Sequence, residues 1–487
     1  MKTVYTGLGR QAPVQPGHGA LFLSIFALSA YFYLPTENSE VVTSGSDAVR
    51  LAIIWSKAAL EVLDHVKATA SEGVETIQAY IILSYVTYHL DGFTAKGRHL
   101  RSAAVSVAVD IGLHRVDAAG TGPRMRRGAS PRDTIDQEVK RRVFWHIVST
   151  DWLQSTLSGP QEGMYLLHPN HIQTGLPKDC DDDSILMDGE NHPADGSRLT
   201  SMTWYLTRVQ LAQLCRQVTD TLPLGISELV QLPYDHVIDL DKRFLDFFSG
   251  LPFYLRQDGD SREKSRAIET AYPRIPGMRY CIITAAHSRR CRLHQKFLLR
   301  HSSDPRYAYS RQACLESARA VVRAYDDSKF GYASPAFASA RMAMAVHFTH
   351  LGLVVLVMDL CFNRGLPGEE ERKAEVKAAL SLLEEARDVS SLISQSLNAL
   401  QGMLRKHNID LGASSQIDHH PQQPDSANEE SADIRMQIVQ PDFDFPASDV
   451  LMEPSFDEFW QFAVQDDINQ DSGVWDNFFS ALDSRPL

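Results

Sequence analysis

From about residue 18 to residue 406, apolar side chains return at steps of three and four, and the alternating runs that mark half-buried strands are scarce. A chain patterned in this way buries its apolar residues by packing helices on helices. The periodicity predicts helices over about 18–33, 46–70, 73–90, 94–114, 135–157, 198–220, 228–249, 269–300, 306–327, 335–362 and 369–406. The segment 135–157 shows the pattern well: Val139, Val143 and Ile147 recur every four residues, Phe144 and Val148 lie beside them, and Glu138, Lys140, Arg141 and Arg142 form a charged first turn. The expected fold class is all-α, a large multi-helix domain. With 487 residues there is also room for segments outside its core.

Two apolar stretches are weighed against membrane insertion. Ala20 to Leu34 carries no charge, but fifteen residues fall short of the roughly 20 that span a bilayer. Met342 to Met358 contains His347, Thr349 and His350, which suit a central core helix, and Ser334–Pro335 reads as its N-cap and first helical residue. No membrane partner is expected. Towards the end of the pattern, Leu382, Ala386, Val389, Ile393, Ser396, Leu397, Leu400, Met403 and Leu404 are spaced equally well for core packing and for a coiled-coil seam. The seam would make a homodimer.

The formal charge of −13 is unevenly placed. From Gln416 to Leu487 there are sixteen acidic and two basic residues, which leaves 46 basic against 45 acidic in the rest. Residues 1–17 form a Gly/Pro/Gln-bearing lead-in expected to be disordered, and 18–406 the helical domain. Residues 407–440 form a polar linker too poor in apolar surface to offset ordering entropy, and 441–487 an acidic, aromatic tail. Within that tail Trp475, Phe478, Phe479 and Leu482 share one face of any helix induced there, and Phe456, Phe459 and Trp460 repeat the mixture of aromatic and acidic residues. Acidic neighbours keep such side chains in water until a partner's apolar groove accepts them, as in an activation domain. A tail that docks on its own body is the other reading.

Six cysteines stand ten or more residues apart with no Cys-x-x-Cys pair, the usage of a reducing compartment. No Gly-x-Ser-x-Gly elbow, His-Glu-x-x-His helix or Gly-rich phosphate loop occurs, so no catalytic, cofactor-binding or metal-binding residue is assigned. His287, His294 and His301, seven apart, read as surface or interface histidines, and His347 with His350 as a core pair. Asp179, Asp181, Asp182 and Asp183 follow Pro177 in a loop without the one-face spacing of a magnesium site.

Two stretches carry a family resemblance. Ser102 to Arg115 ends in Gly112-Leu113-His114-Arg115 and leads through a loop bearing Arg124, Arg126, Arg127 and Arg132 to Glu138-Val-Lys-Arg141-Arg142-Val-Phe144-Trp145-His146, then Asp151-Trp152 and Ser158-Gly159-Pro160. Further on come Leu293-His-Gln-Lys-Phe-Leu-Leu-Arg300, Asp304-Pro-Arg-Tyr-Ala-Tyr-Ser310 and Cys314-Leu-Glu-Ser-Ala318. Over about residues 18–405 the chain resembles the middle homology region of fungal zinc-cluster transcription factors. That resemblance implies a nuclear regulator of metabolic or biosynthetic genes, working with coactivator or mediator-type proteins. The family's six-cysteine zinc cluster is not in the sequence, so direct DNA binding through it is not expected from these residues, and DNA would be reached either through a cluster encoded ahead of Met1 or through a DNA-binding partner. Zinc belongs to the picture only with such a cluster.

Arg141 and Arg142 can clamp carboxylates in bidentate fashion and are expected to tie helices together, Asp151 being too far along the same helix to pair with them. Arg124, Arg126 and Arg127 suit either a solvated loop or a nuclear import signal. A ligand-binding helical sensor, or an all-α enzyme with an incidental tail, is the alternative function.

Overall fold

The computed structural model describes residues 15–33, 44–92, 94–118, 131–157, 161–186, 199–223, 232–298, 305–331, 343–363, 365–384, 387 and 391–411. These are all-α, as the periodicity implies, and no strand occurs among the described residues. The tail residues Phe456, Phe459, Trp460, Trp475, Phe478, Phe479 and Leu482, the loop arginines Arg124, Arg126 and Arg127, the turn Gly159–Pro160, His301 and the cap Ser334–Pro335 all lie outside them.

In chain order the helices are α1 (Pro16–Tyr31), α2 (Gly45–Ala68), α3 (Val74–Asp91), α4 (Ala95–Asp110), α5 (Pro131–Gln154), α6 (Thr203–Thr221) and α7 (Tyr234–Gly250). There follow α8 (Gly259–Ala271), α9 (Ile275–Leu298), α10 (Ala308–Gly331), α11 (Ala343–Phe362), α12 (Glu369–Glu384) and α13 (Ser391–Lys406). Their starts follow capping chemistry. Ser44 accepts the Asp47 N–H at 3.1 Å ahead of α2, and Asp258 accepts the Ser261 N–H at 2.9 Å ahead of α8. Glu369, Glu370 and Glu371 complement the positive end of α12.

Three boundaries differ from the periodicity. The helix expected to reach residue 114 stops at Asp110, because Gly112 takes φ +75° and turns the chain into a short 3-10 turn at Leu113–Arg115. The pattern across 369–406 divides into α12 and α13. Short, polar α8, with only Ser261 and Ser265 buried, was folded into neighbouring loop and helix by a reading that relies on apolar spacing.

Helices α1 to α4 form an N-terminal layer in which α1 packs on α2 and α3, and α3 on α4. Helix α5 joins it to α6, and α9 contacts α6, α7, α10 and α11. Helix α11 is apolar on nearly every side, with Leu353 to Met358 all buried beneath α10, α12 and α13. It also returns to the first layer, where Tyr88 meets Met344 and the Ala343 N–H points to His89 Nδ1 at 3.3 Å. Ile393, Leu397 and Leu400 of α13 are fully buried within the chain, so these seam positions pack into the core. No helix among the described residues is long and apolar enough to cross a membrane.

Candidate functional site

Helix α5 organises the first constellation. Its Glu138 is fully buried, which would be prohibitive for an isolated carboxylate. Arg141 Nη1 approaches it at 3.4 Å, Arg142 Nε at 3.1 Å and the Lys178 N–H at 2.9 Å. Arg141 also forks onto Asp117 through Nε at 2.9 Å and Nη2 at 2.5 Å, and Asp117 accepts the Gly175 N–H at 2.8 Å. The hydrogen bonds from Arg141 are the main reason that the Asp117 carboxyl sits below its ordinary pKa. Arg142 spends Nη1 on Asp182 at 2.6 Å and Nη2 on the Cys180 carbonyl at 3.2 Å.

The same helix stitches down the chain after it. Trp145 Nε1 donates to the Gly175 carbonyl at 2.7 Å and Trp152 Nε1 to the Leu167 carbonyl at 2.8 Å. Asp151 accepts the N–H groups of Leu166 and Leu167 at 2.9 and 2.8 Å, yet burial raises its pKa to about 6. From the turn after α4, Leu113 offers its carbonyl to the Thr174 hydroxyl at 2.5 Å and His114 offers its carbonyl to the Gln173 N–H at 2.7 Å. Phe144 is fully buried in the core. Leu113, His114, Arg141, Arg142, Trp145 and Asp151 therefore meet in one knot built of α5, the Leu113–Arg115 turn and the segment 161–182, with Gly112 making the turn into it. Arg115 lies in that turn and lowers the pKa of His114 further, after burial.

The aspartates after Pro177 belong to the same knot: Asp182 holds Arg142, Asp181 accepts the Ser201 N–H at 2.7 Å, and Asp179 accepts the Thr200 hydroxyl. No group of three or more His, Cys, Asp or Glu side chains among the described residues could hold a metal ion.

A second constellation centres on Asp241 of α7, which sequence spacing did not single out. The residue is fully buried, with Arg290 Nε at 2.6 Å and Nη2 at 3.1 Å, His294 Nε2 at 2.9 Å, and the Tyr309 hydroxyl at 2.5 Å. Burial would raise its carboxyl pKa, but the hydrogen bonds from His294, Arg290 and Tyr309 override that and hold it below the ordinary range. His294 reaches on through Nδ1 to Ser310 Oγ at 2.9 Å, which meets the Tyr234 hydroxyl at 2.7 Å. The order Asp–His–Ser has the outline of a hydrolytic relay. Ser310 and His294 are nevertheless both fully buried, so the network binds helices together and offers no nucleophile to a substrate.

His294 thereby corrects the expectation of surface or interface histidines. Only sequence-distant partners at 241, 309 and 310 reveal its role. His287 stacks on Phe248 with centroids 4.2 Å apart, and burial pushes its pKa down to about 3. His350 bonds Ser396 Oγ at 2.5 Å between α11 and α13. All six cysteines are free thiols, five of them buried.

Beside the α5 knot lies an open cavity of about 810 Å3 lined by α1, α3, α5 and α6. Leu21, Phe22, Ile25, Ile81, Ile82 and Val143 supply its apolar wall, and Gln78, His146 and Tyr205 its polar one. His146 is half-buried with its Nε2 3.3 Å from the Tyr85 hydroxyl, and desolvation lowers its pKa to about 3. At neutral pH it is an uncharged imidazole.

Comparison with known proteins bears on these geometries. The family described as the fungal specific transcription factor domain matches residues 8–249. The probable transcription factor lepB of Aspergillus flavus is 39% identical over 492 residues, spanning 100% of this chain and 87% of that protein. The agnestins biosynthesis cluster transcription factor AgnL11 of Paecilomyces divaricatus is 32% identical over 407 residues, 83% of this chain but 57% of its own length. Transcription factor TAS2 of Pyricularia oryzae is 26% identical over 436 residues, 82% of this chain and 54% of its own.

Proposed function

The chain belongs to the fungal specific transcription factor family and regulates transcription, and from that membership we propose that it is a nuclear, non-enzymatic activator working through its acidic C-terminal tail. The observation that carries this reading is the uneven charge. Sixteen acidic residues gather after Gln416 around Phe456, Phe459, Trp460, Trp475, Phe478, Phe479 and Leu482, while the remainder of the chain is nearly neutral. Aromatic residues held in water by acidic neighbours suit the apolar grooves of coactivator or mediator-type proteins.

The helical domain is the regulatory body in this reading. Its buried polar constellations act as ties between helices, and membership of a family of transcription factors weighs against the enzyme alternative. The name of one relative ties it to a biosynthesis cluster, and control of such a gene cluster is the corresponding proposal for this chain.

Residues 416–487 fused to a heterologous DNA-binding domain are expected to drive a reporter strongly. The triple variant Trp475→Ala, Phe478→Ala, Phe479→Ala should lose most of that output at equal expression. A silent wild-type fusion would sink the activation reading and leave regulation to the helical body.

A further inference from the structure

We infer that the cavity between α1, α3, α5 and α6 is a binding site for an uncharged, largely apolar small molecule carrying one or two hydrogen-bonding oxygen or nitrogen atoms. A volume of about 810 Å3 lies within the roughly 300–1,000 Å3 range of small-molecule sites. Three helices contribute apolar wall, and Phe22, stacked on Phe26 with centroids 6.3 Å apart, presents an aromatic side chain to the space.

The charge of the ligand follows from what the polar wall has left to offer. Arg142 lines the cavity, but its guanidinium is committed to Glu138, Asp182 and the Cys180 carbonyl, so it has no free fork for a carboxylate. His146 is a neutral imidazole there, bonded to Tyr85, and the Tyr205 hydroxyl is turned onto the Arg142 carbonyl at 2.5 Å. At the rim the Glu75 carboxylate, 39% exposed with His18 at 3.6 Å, faces solvent, where an ion gains little from it. Arg132 also lines the cavity, but it is exposed to solvent, where an ion gains little from it. A charged ligand would thus exchange part of its water for apolar wall without a buried, uncommitted counter-ion, whereas a neutral one needs only the hydrogen bonds that His146, Gln78 and Tyr205 can make. Such a ligand would brace α1 against α3 and α5, coupling occupancy to the region that carries the family motif.

The test titrates the purified full-length protein with Nile red, a neutral apolar dye, and in parallel with the anionic probe 1-anilinonaphthalene-8-sulfonate. One Nile red per chain is expected, with blue-shifted emission and a higher melting temperature at saturation. Ile82→Trp and Leu21→Trp, on different helices, fill the cavity and should each weaken binding at least tenfold. Ile53→Ser, on the exposed face of α2, should leave it unchanged. Equal binding by both filled variants, or no binding and no melting shift in the unaltered protein, would overturn the site. Tighter, competitive binding of the anionic probe would overturn the ligand class. Should either tryptophan variant fail to fold, the other variant and the melting shift still decide. Because the readout is binding to purified protein, its failure is separate from failure of the tail reporter.

Discussion

Asp241 shows how much one side chain can hold. Its carboxylate is fully buried and serves Arg290, His294 and Tyr309 at once. Replacing it by alanine strands the Arg290 guanidinium, itself only 5% exposed, and urea unfolding should register a loss of about 3–5 kcal/mol. Asp241→Asn keeps one acceptor oxygen in place and should cost less; equal losses would mean that the charge carries the whole effect. Arg141 and Arg142 were legible in sequence as carboxylate clamps, since an adjacent arginine pair at the start of an apolar helix has few other uses. Their partners Asp117 and Asp182 were not, because neither periodicity nor spacing links residues 24 and 40 positions away. Asp241 escaped notice for the same reason: its partners stand 49 to 68 residues on, and nothing local marks it as buried.

At the scale of elements, helix packing depends on a few close approaches. A Cβ added at Gly352 of α11 would lie 3.1 Å from the Ala318 carbonyl oxygen and 3.6 Å from Val321 Cβ on α10. The obstruction is backbone, which cannot swing aside. Gly352→Ala should therefore lower stability by about 1–3 kcal/mol, despite alanine's better helix propensity. A melting temperature at or above that of the parent would show that α10 and α11 separate without cost. Helix existence was readable wherever apolar spacing was strong, as in α5 and α11. It failed for α8, whose polar sequence hides behind its cap, and for the division into α12 and α13, across which the three-four rhythm of the sequence continues. The cavity was also beyond reach, since its wall is assembled from positions as distant as Leu21 and Tyr205.

For the molecule as a whole, buried imidazoles set the response to acid. Burial lowers the pKa of His89 and His350 to about 4, and of His146 and His287 to about 3, against 6.5 for the free side chain. Each folded value lies below the unfolded one, so the stability that these groups contribute is complete above pH 6.5 and drains as the pH falls towards 4 and 3. Each contributes a slope on the order of 1.4 kcal/mol per pH unit. Asp151 works the other way, its pKa of about 6 giving stability that grows on acidification between pH 6 and 4, and it offsets one of the four. The urea midpoint should consequently be lower at pH 5 than at pH 7.5. A flat or rising profile would show that the imidazoles are protonated inside the fold.

Helix α9 supplies Arg279 to the Tyr254 carbonyl, Arg289 to the Leu153 carbonyl, Arg290 to Asp241 and Arg292 to Glu162. Every one of those acceptors precedes it in the chain. The portion matched by the family, residues 8–249, thus ends before the helix that neutralises Asp241, one of its fully buried carboxylates. During synthesis the growing polypeptide leaves the ribosome with about half its length lacking these counter-charges. That half holds Asp241 without Arg290 and His294 until α9 has emerged. A fragment cut at residue 249 is therefore expected to be less stable than the same residues within the whole chain.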